Sequence, residues 1–485
     1  MKLFTDFHLH SRFSRACSTD LSIKTLEKYA KIKGLHILGT SDFAHPEWIK
    51  ELKSELVEDD TGILKTKPNP KSVSNSKSVI NTVANPTSTG GFPFILSNEI
   101  SLMYTDLGRG RKVHNVILAP NFEIVDQITE ALKKRGRVDY DGRPIFKIPC
   151  PEFVDMMHSI SKDIEIIPAH IWTPYFGIFG SMSGFDSLKD AFKDRASSIH
   201  AIETGLSSDP SMNWRIKELD RISILSFSDS HSYWPWRLGR EETVFEFKHI
   251  NESSDIAKLT YKDIINAIKT KESLWGTIEV DPSYGKYHFD GHRDCGISFD
   301  PKESSKHNGI CPLCKKPLTI GVMNRVEQLA DKDRPEGYKP DPNKQANAKP
   351  FYSIVPLSDI LSAVAGKAVA SKGVFEEFYK IINGRNELDV LLNVSYEDLL
   401  KLTSKEIADA IILNREGKLK VIPGYDGVYG ELVLNNQQFR QKQEMRKQQE
   451  QIKKNKENRD IENRNLGKKE IQKKAKIVQK GLGDY

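Results

Sequence analysis

Two apolar rhythms divide the chain. Over residues 1–250 short β-branched runs recur, among them KVHNVILAP at 112–120, IEIIPAH at 164–170 and ISILSFSDSH at 222–231. Runs of this length, bounded by Pro, Ser or charged positions, read as buried strands. Their succession predicts an α/β barrel or layered fold in which the carboxyl ends of the strands face one side. From Pro350 to about Asn435 the apolar spacing becomes three and four, in SDILSAVAG, FEEFYKIIN, YEDLLKLT and SKEIADAIILNREG. These segments predict short helices, several ending near Gly or Asn, with Ile407, Ile411 and Ile412 as a core stripe. A Gly-rich turn, VIPGYDGVYGEL, follows them.

Two stretches follow neither rhythm. Residues 54–91, which contain KTKPNPKSVSNSKSVINTVANPTSTGG, are expected to be a surface insertion between strands. Residues 436–485 are rich in Gln, Lys, Asn and Glu and bury too little apolar surface to repay their ordering, which predicts a disordered tail. The expected organisation is a barrel over 1–250, a linker and metal knuckle over 251–335, a helical module over 350–435 and the tail over 436–485.

Composition sharpens this division. The net charge of +6 is uneven: Gln437 to Tyr485 hold 15 Lys and Arg against 7 Asp and Glu, leaving 57 against 59 for the rest. A near-neutral body therefore carries a basic tether with salt-sensitive affinity for polyanions such as DNA. No run of 18 apolar residues occurs and no charged-then-apolar leader precedes the first motif, so neither a membrane partner nor export is expected. The chain has five cysteines, three of them clustered, which points to a reducing cytoplasm with Cys17 and Cys150 as unpaired thiols.

The strand-like runs end in side chains that bind metals. His8, His10, Asp42, His45, Glu99, His114, His170, Asp229 and His231 are all placed to meet on one face of such a fold. Imidazole with carboxylate suits Zn²⁺, Mn²⁺ or Fe²⁺, and a set this large predicts two or three divalent ions, expected to be Zn, Mn or Mg, a device for in-line attack on phosphate esters. Asp229 is expected to ligate and to accept a proton from the attacking water. Farther on, GHRDC and ICPLC supply His292, Cys295, Cys311 and Cys314, two pairs with the spacing of a closed, structural zinc site, with His288 and His307 as alternatives to His292 that lack the paired spacing.

These motifs resemble the PHP (polymerase and histidinol phosphatase) metallophosphoesterases over residues 1–250. The family's opening His-x-His corresponds to His8 and His10, its bridging carboxylate to Glu99, its central histidines to His114 and His170, and its closing Asp-x-His to Asp229 and His231. One motif departs: the family's Asp-His pair is here Asp42, Phe43 and, two positions on, His45. The order of barrel, YGKYHFDGHRDCG knuckle and helical module with PGYDGVYG further resembles the endonuclease Q family. That resemblance implies a PHP-type distorted (β/α)7 barrel and a repair enzyme that cuts DNA on the 5′ side of uracil, hypoxanthine, xanthine and abasic sites, with Asp229 and Glu99 catalytic.

Action on a damaged base requires the base to leave the stack, and a flipped base needs a flat partner. Trp172, Tyr175 and Phe176 after His170, and Trp234 and Trp236 after His231, are candidates to stack on it, with Arg237 and Arg240 as phosphate clamps. Gln479, Leu482 and Tyr485 reproduce a Gln-x-x-aliphatic-x-x-aromatic pattern resembling the peptide that docks on sliding clamps, here at the end of a tether. Two other readings fit parts of the chain: a small-molecule phosphatase of the histidinol-phosphate kind, and a non-catalytic repair scaffold.

Overall fold

A computed structural model describes residues 1–67 and 91–434, together with Glu444. The expected disordered tail, apart from Glu444, the clamp-type residues Gln479, Leu482 and Tyr485, and residues 68–90 of the insertion lie outside the described residues.

The fold is mixed α/β around one large sheet. Strands β1 (Lys2–Asp6), β2 (Ile37–Gly39), β3 (Leu56–Val57), β4 (Leu64–Thr66), β5 (Pro93–Asp106) and β6 (Arg109–Ala119) come first. After them come β7 (Ile145–Phe146), β8 (Glu165–Pro168), β9 (Ala201–Glu203), β10 (Ser223–Leu225), β11 (Glu242–Glu246) and β12 (Leu274–Glu279). β1, β2 and β5 run parallel, β6 is antiparallel to both β5 and β8, β9 is parallel to β10, and β11 returns antiparallel to β1. Two gaps in this ring are bridged outside the ladders. Ile171 N–H donates to Glu203 O at 3.1 Å between β8 and β9, and Ser226 N–H donates to Thr243 Oγ1 at 3.0 Å between β10 and β11. The ring is thus a distorted barrel.

Its filling explains why these runs are strands. Leu3, Ile37, Ile95, Leu118, Ile167, Ala201, Leu225 and Phe245, one from each strand of the ring, join a single buried cluster with residues of the helix Tyr261–Thr270. The Tyr261 hydroxyl donates to Leu118 O and Asp163 O, closing that end. The sheet runs past residue 250, because β12 pairs with β11 and β15 (Phe351–Ser353) pairs with β12. Residues 54–67, expected within the surface insertion, instead finish the helix Pro46–Glu55 and form β3 and β4, with Leu64 paired to Phe94 of β5. Leu56, Ile63 and Leu64 are buried there, so the first part of the expected insertion carries core.

β13 (Asp290–His292) and β14 (Ile297–Phe299) form the hairpin of the knuckle. The helical module has five helices among the described residues: Leu357–Ala365, Lys372–Ile382, Glu387–Leu392, Tyr396–Leu402 and Lys405–Arg415. Four follow the three-and-four spacing. Glu387–Leu392 is too short to show a period, but Asn386 caps it by accepting from Asp389 N–H. The module folds back onto the barrel. Lys33 Nζ lies 2.9 Å from Glu387 Oε2 as a buried ion pair, and Glu387 Oε1 accepts from Leu357 N–H at 2.8 Å. Among the described residues no helix is long and apolar enough to cross a membrane.

Candidate metal centre

Elements far apart in sequence bring the candidate ligands to one end of the ring. His8 and His10 follow β1, on a segment whose His10 N–H donates to Ser230 O at 2.9 Å, joining it to the loop after β10. That loop presents Asp229 in the left-handed region, at φ +46°. Glu99 lies within β5, and His114 sits across from it on β6, where Ser101 is its partner in the register. His170 follows β8 at φ +30°. Gly205 passes directly behind it: a Cβ there would come 2.5 Å from His170 Cβ, so the approach requires glycine.

Glu99 lies at the middle of the arrangement. Its Oε2 faces His8 Nε2 at 3.5 Å and His10 Nε2 at 3.2 Å, and Asp229 Oδ1 lies 3.1 Å from the same His10 nitrogen. Its Oε1 faces His114 Nδ1 at 2.6 Å and His170 Nε2 at 3.2 Å. Two donor sets result, His8–His10–Glu99–Asp229 and Glu99–His114–His170, each with its ligand atoms within 4.8 Å of one another. A carboxylate shared by two such sets is the geometry of a bridging ligand.

The imidazoles are held from behind. Glu203 contacts His8 Nδ1 at 2.9 and 3.0 Å and accepts from His170 N–H at 2.7 Å. Asp42 Oδ1 lies 3.2 Å from His10 Nδ1, while its Oδ2 accepts from Ser11 N–H and Oγ and from Ser14 Oγ. A carboxylate on one ring nitrogen fixes the proton there and turns the other lone pair toward a cation. His8 Nε2 is in that position: buried, without a hydrogen-bond partner, and facing two carboxylate oxygens. The donor set therefore fits divalent cations.

The electrostatics agree. Burial opposes charge on His8, yet Glu203, Glu99 and Asp229 together hold its imidazole well above its ordinary value. Burial likewise opposes ionisation of Asp229, but His8, His10 and His231 keep its carboxyl well below the usual range. At His114 burial wins over the pull of Glu99 and lowers the imidazole to about 4, which leaves a neutral lone-pair donor. A pocket that stabilises positive charge on its histidines offers the same field to a metal ion.

Three candidate ligands stand outside these sets. Asp42 is buried behind His10 and positions it. His45 caps the helix Pro46–Glu55 by accepting from Glu47 N–H and stacks on Phe13 at 4.4 Å, so its displacement from the family pattern leaves it out of the donor sets. His231 packs against His10 at 4.5 Å, with Nδ1 3.1 Å from Asp229 O. Sequence reasoning passed over Glu203 and Arg143, whose Nη1 donates to Glu99 Oε2 at 3.1 Å. Glu203 ends the run HAIE and could have been found by the strand-end criterion; Arg143 lies in a loop that carries no signal.

The aromatic candidates separate by burial. Trp172 must be withdrawn as a base-stacking residue, since it is fully buried and its Nε1–H donates to Asn213 Oδ1 at 2.8 Å. Phe176 packs on His114 at 4.3 Å, whereas Tyr175 is exposed. Trp234 and Trp236 stack at 5.3 Å and both meet Phe375 of the helical module. Trp236, Arg237 and Arg240 line a cavity of about 280 Å³ with Tyr284, Asp359 and Tyr429. Arg240 also donates to Ser228 O, the residue before Asp229, and so ties the cavity wall to the loop that carries Asp229.

In the knuckle, His292, Cys295, Cys311 and Cys314 also gather within 4.8 Å, with Cys314 Sγ 3.7 Å from His292 Nδ1. Tetrahedral zinc with arms of about 2.0–2.3 Å needs ligand separations of about 3.5–3.8 Å, so this set fits a structural ion.

Residues 356–418 match the family described as the MJ0043 C-terminal domain. An uncharacterized protein of Methanocaldococcus jannaschii, MJ0043, is 34% identical over 270 residues, 55% of this chain but only 32% of that protein's own length. The uncharacterized protein YqxK of Bacillus subtilis is 24% identical over 453 residues, 89% of this chain and 99% of that protein. Among solved structures, the lesion-specific endonuclease PfuEndoQ from Pyrococcus furiosus superimposes with a TM-score of 0.72 at 29% identity, covering 90% of this chain and 96% of that one. A complex of Endonuclease Q with a 27-mer duplex carrying an abasic lesion at the active site gives 0.73 at 29% identity, covering 90% and 98%.

Proposed function

Because the chain belongs to the endonuclease Q family, we propose that it is a metal-dependent endonuclease that nicks DNA on the 5′ side of abasic sites and of deaminated bases such as uracil, hypoxanthine and xanthine. The observation that carries this reading is the Glu99 carboxylate set between two imidazole-rich donor groups. His8, His10, Glu99 and Asp229 would hold one divalent ion and Glu99, His114 and His170 a second. Bound there, such ions acidify water and neutralise charge on the scissile phosphate.

The chain's own groups do the rest. Glu203 and Asp42 fix His8 and His10 in the tautomers a cation requires. The Asp229 side chain is 29% exposed and held ionised, so it reaches the solvent side, where it can ligate a cation and orient the attacking water. Arg143 meets Glu99 from the edge of the site, where its guanidinium can oppose charge that builds on phosphate oxygens. The cavity lined by Trp236, Arg237, Tyr284 and Asp359 has the size for one base and would offer its edge polar contacts. His292, Cys295, Cys311 and Cys314 hold a structural zinc ion. Gln479, Leu482 and Tyr485 bring the enzyme to a sliding clamp on DNA, which places its work at the nucleoid.

Duplexes with one uracil, hypoxanthine or abasic site, incubated with Mg²⁺, Mn²⁺ or Zn²⁺, test the reading. A nick on the 5′ side confined to damaged strands supports it. Release of phosphate from small esters without nicking would make the chain a phosphatase instead. Deletion of residues 479–485 is expected to abolish stimulation by a sliding clamp.

A further inference from the structure

Two glycine-rich segments far apart in sequence, YGKYHFDGHRDCG at 284–296 and PGYDGVYG at 423–430, meet in the fold. Gly424 N–H donates to Ser283 O at 2.9 Å, Gly427 N–H to Lys286 O at 2.8 Å and Gly430 N–H to Tyr284 O at 3.0 Å, while Phe289 N–H donates to Gly424 O at 3.0 Å. A Cβ on Gly424 would come 2.2 Å from Gly285 O, and one on Gly430 2.2 Å from Ser283 O, so this approach of backbone to backbone admits no side chain at either position. The two loops form one interlocked unit, which presents Lys286 and Tyr429 to solvent.

One aromatic ring there gathers two cations. Lys286 Nζ lies 5.5 Å and Arg237 Cζ 5.9 Å from the centroid of the Tyr429 ring. Neither cation forms an ion pair among the described residues, and the carboxylates nearby are engaged elsewhere. Asp426 accepts from Arg293 N–H and Thr319 Oγ1, Asp281 from Ser283 N–H and Oγ, and Asp359 from the Tyr284 hydroxyl. An aromatic face that draws two like charges together, with no carboxylate to neutralise them, leaves their N–H donors for an anion. Arg237 and Tyr429 also line the cavity of about 280 Å³, so the pair of cations stands at its mouth.

We propose that Arg237, Lys286 and Tyr429 clamp a backbone phosphate of the damaged DNA strand at the mouth of that cavity. The inference rests on the endonuclease reading above. From the clamp, the Tyr287 ring lies 5.8 Å from Lys286 Nζ, and the Tyr175 ring lies 6.4 Å from that of Tyr287. Tyr175 precedes Phe176, whose ring packs on His114 and whose carbonyl accepts from His114 N–H. The same face therefore joins the cavity to the second donor set. A strand with its scissile phosphate at the donor sets and its extruded base in the cavity has to cross this face, where the two cations meet it. Arginine and lysine without carboxylate partners, set among tyrosines, suit a polyanion that also carries flat bases.

The test measures binding of the full chain to a duplex with one abasic site, by fluorescence anisotropy across a salt series, with chelator present so that the strand stays intact. Lys286→Met, at an exposed position, is expected to keep the melting temperature and to lower the slope of log K against log salt by about 0.9, the share of one phosphate. Lys286→Arg should keep the full slope. The phosphates of the damaged strand are then replaced one at a time by uncharged methylphosphonate. At one of them the replacement should weaken wild type about tenfold and Lys286→Met no further. An unchanged slope in Lys286→Met, or losses that add at every phosphate, would overturn the clamp. Wild-type protein that nicks no damaged duplex when metal is supplied would instead remove the endonuclease reading and the clamp with it.

Discussion

Glu203 binds no cation in this account, yet it touches two of the histidines that would. Its carboxylate holds His8 Nδ1 and the backbone N–H of His170, so one buried side chain sets a member of each donor group. Glu203→Gln should lower Mn²⁺ affinity about 10- to 100-fold, as for other carboxylates behind metal-bound imidazoles, measured by titration calorimetry. Unchanged affinity would return Glu203 to a purely structural role. Asp359 makes a different prediction. Burial raises its carboxyl to about 6, although the Tyr284 hydroxyl, Arg237 and Lys33 pull it down. The folded protein therefore keeps the proton to higher pH than the unfolded chain, and stability present below about pH 4 is lost as pH rises through 6. Asp359→Asn keeps an acceptor for Tyr284 and should be more stable than wild type at pH 8 by on the order of 3 kcal/mol, the gain vanishing below pH 4 in urea unfolding. At this scale the sequence was partly legible. His8, His10, His170 and Asp229 could be read because strand ends converge whatever their separation, whereas Glu99 and His114 lie inside β5 and β6 and were read from the motif they share with the family. Trp172 could not, since a tryptophan beside a ligand looks the same in sequence whether it faces a groove or the core.

Elements carry the modules' attachment. The helix Ile23–Lys33 of the barrel and the helix Glu387–Leu392 of the module meet through Lys33 and Glu387, 2% and 0% exposed at their side chains. Such a pair adds little net stability, but breaking it strands a buried charge. Lys33→Met should cost about 3–5 kcal/mol in chemical unfolding, and the double variant Lys33→Met, Glu387→Gln, which keeps the acceptor for Leu357 N–H, should recover most of that. Equal destabilisation of the single and double variants would mean that the pair is not the latch. In the knuckle, Cys311→Ser should release the hairpin β13–β14, detected as faster amide exchange over 290–319, because few apolar groups other than the cysteines pack there. The four longer module helices were readable from spacing alone. Glu387–Leu392 and the β3–β4 hairpin were not, because elements of six, two and three residues carry no period and are fixed by the neighbours they pack on.

The whole molecule joins a barrel end with two donor sets to a helical module whose Phe375 meets Trp234 and Trp236. The α/β class and the succession of barrel, knuckle and helical module were legible in the order of motifs. How closely the later modules fold against the barrel was not, since it depends on contacts such as Arg215 with Arg334 O and Arg334 with Asp220, more than a hundred residues apart. The central claim is that the shared carboxylate of Glu99 gathers divalent ions for phosphodiester hydrolysis beside a lesion. Its most direct test is the single-turnover nicking rate of wild type and Glu99→Gln on a duplex with one abasic site, with Mn²⁺ or with chelator. The account predicts a metal-dependent nick at the lesion that falls at least about 100-fold in a folded Glu99→Gln protein. A nick that persists in chelator, or a Glu99→Gln rate equal to wild type, would contradict it.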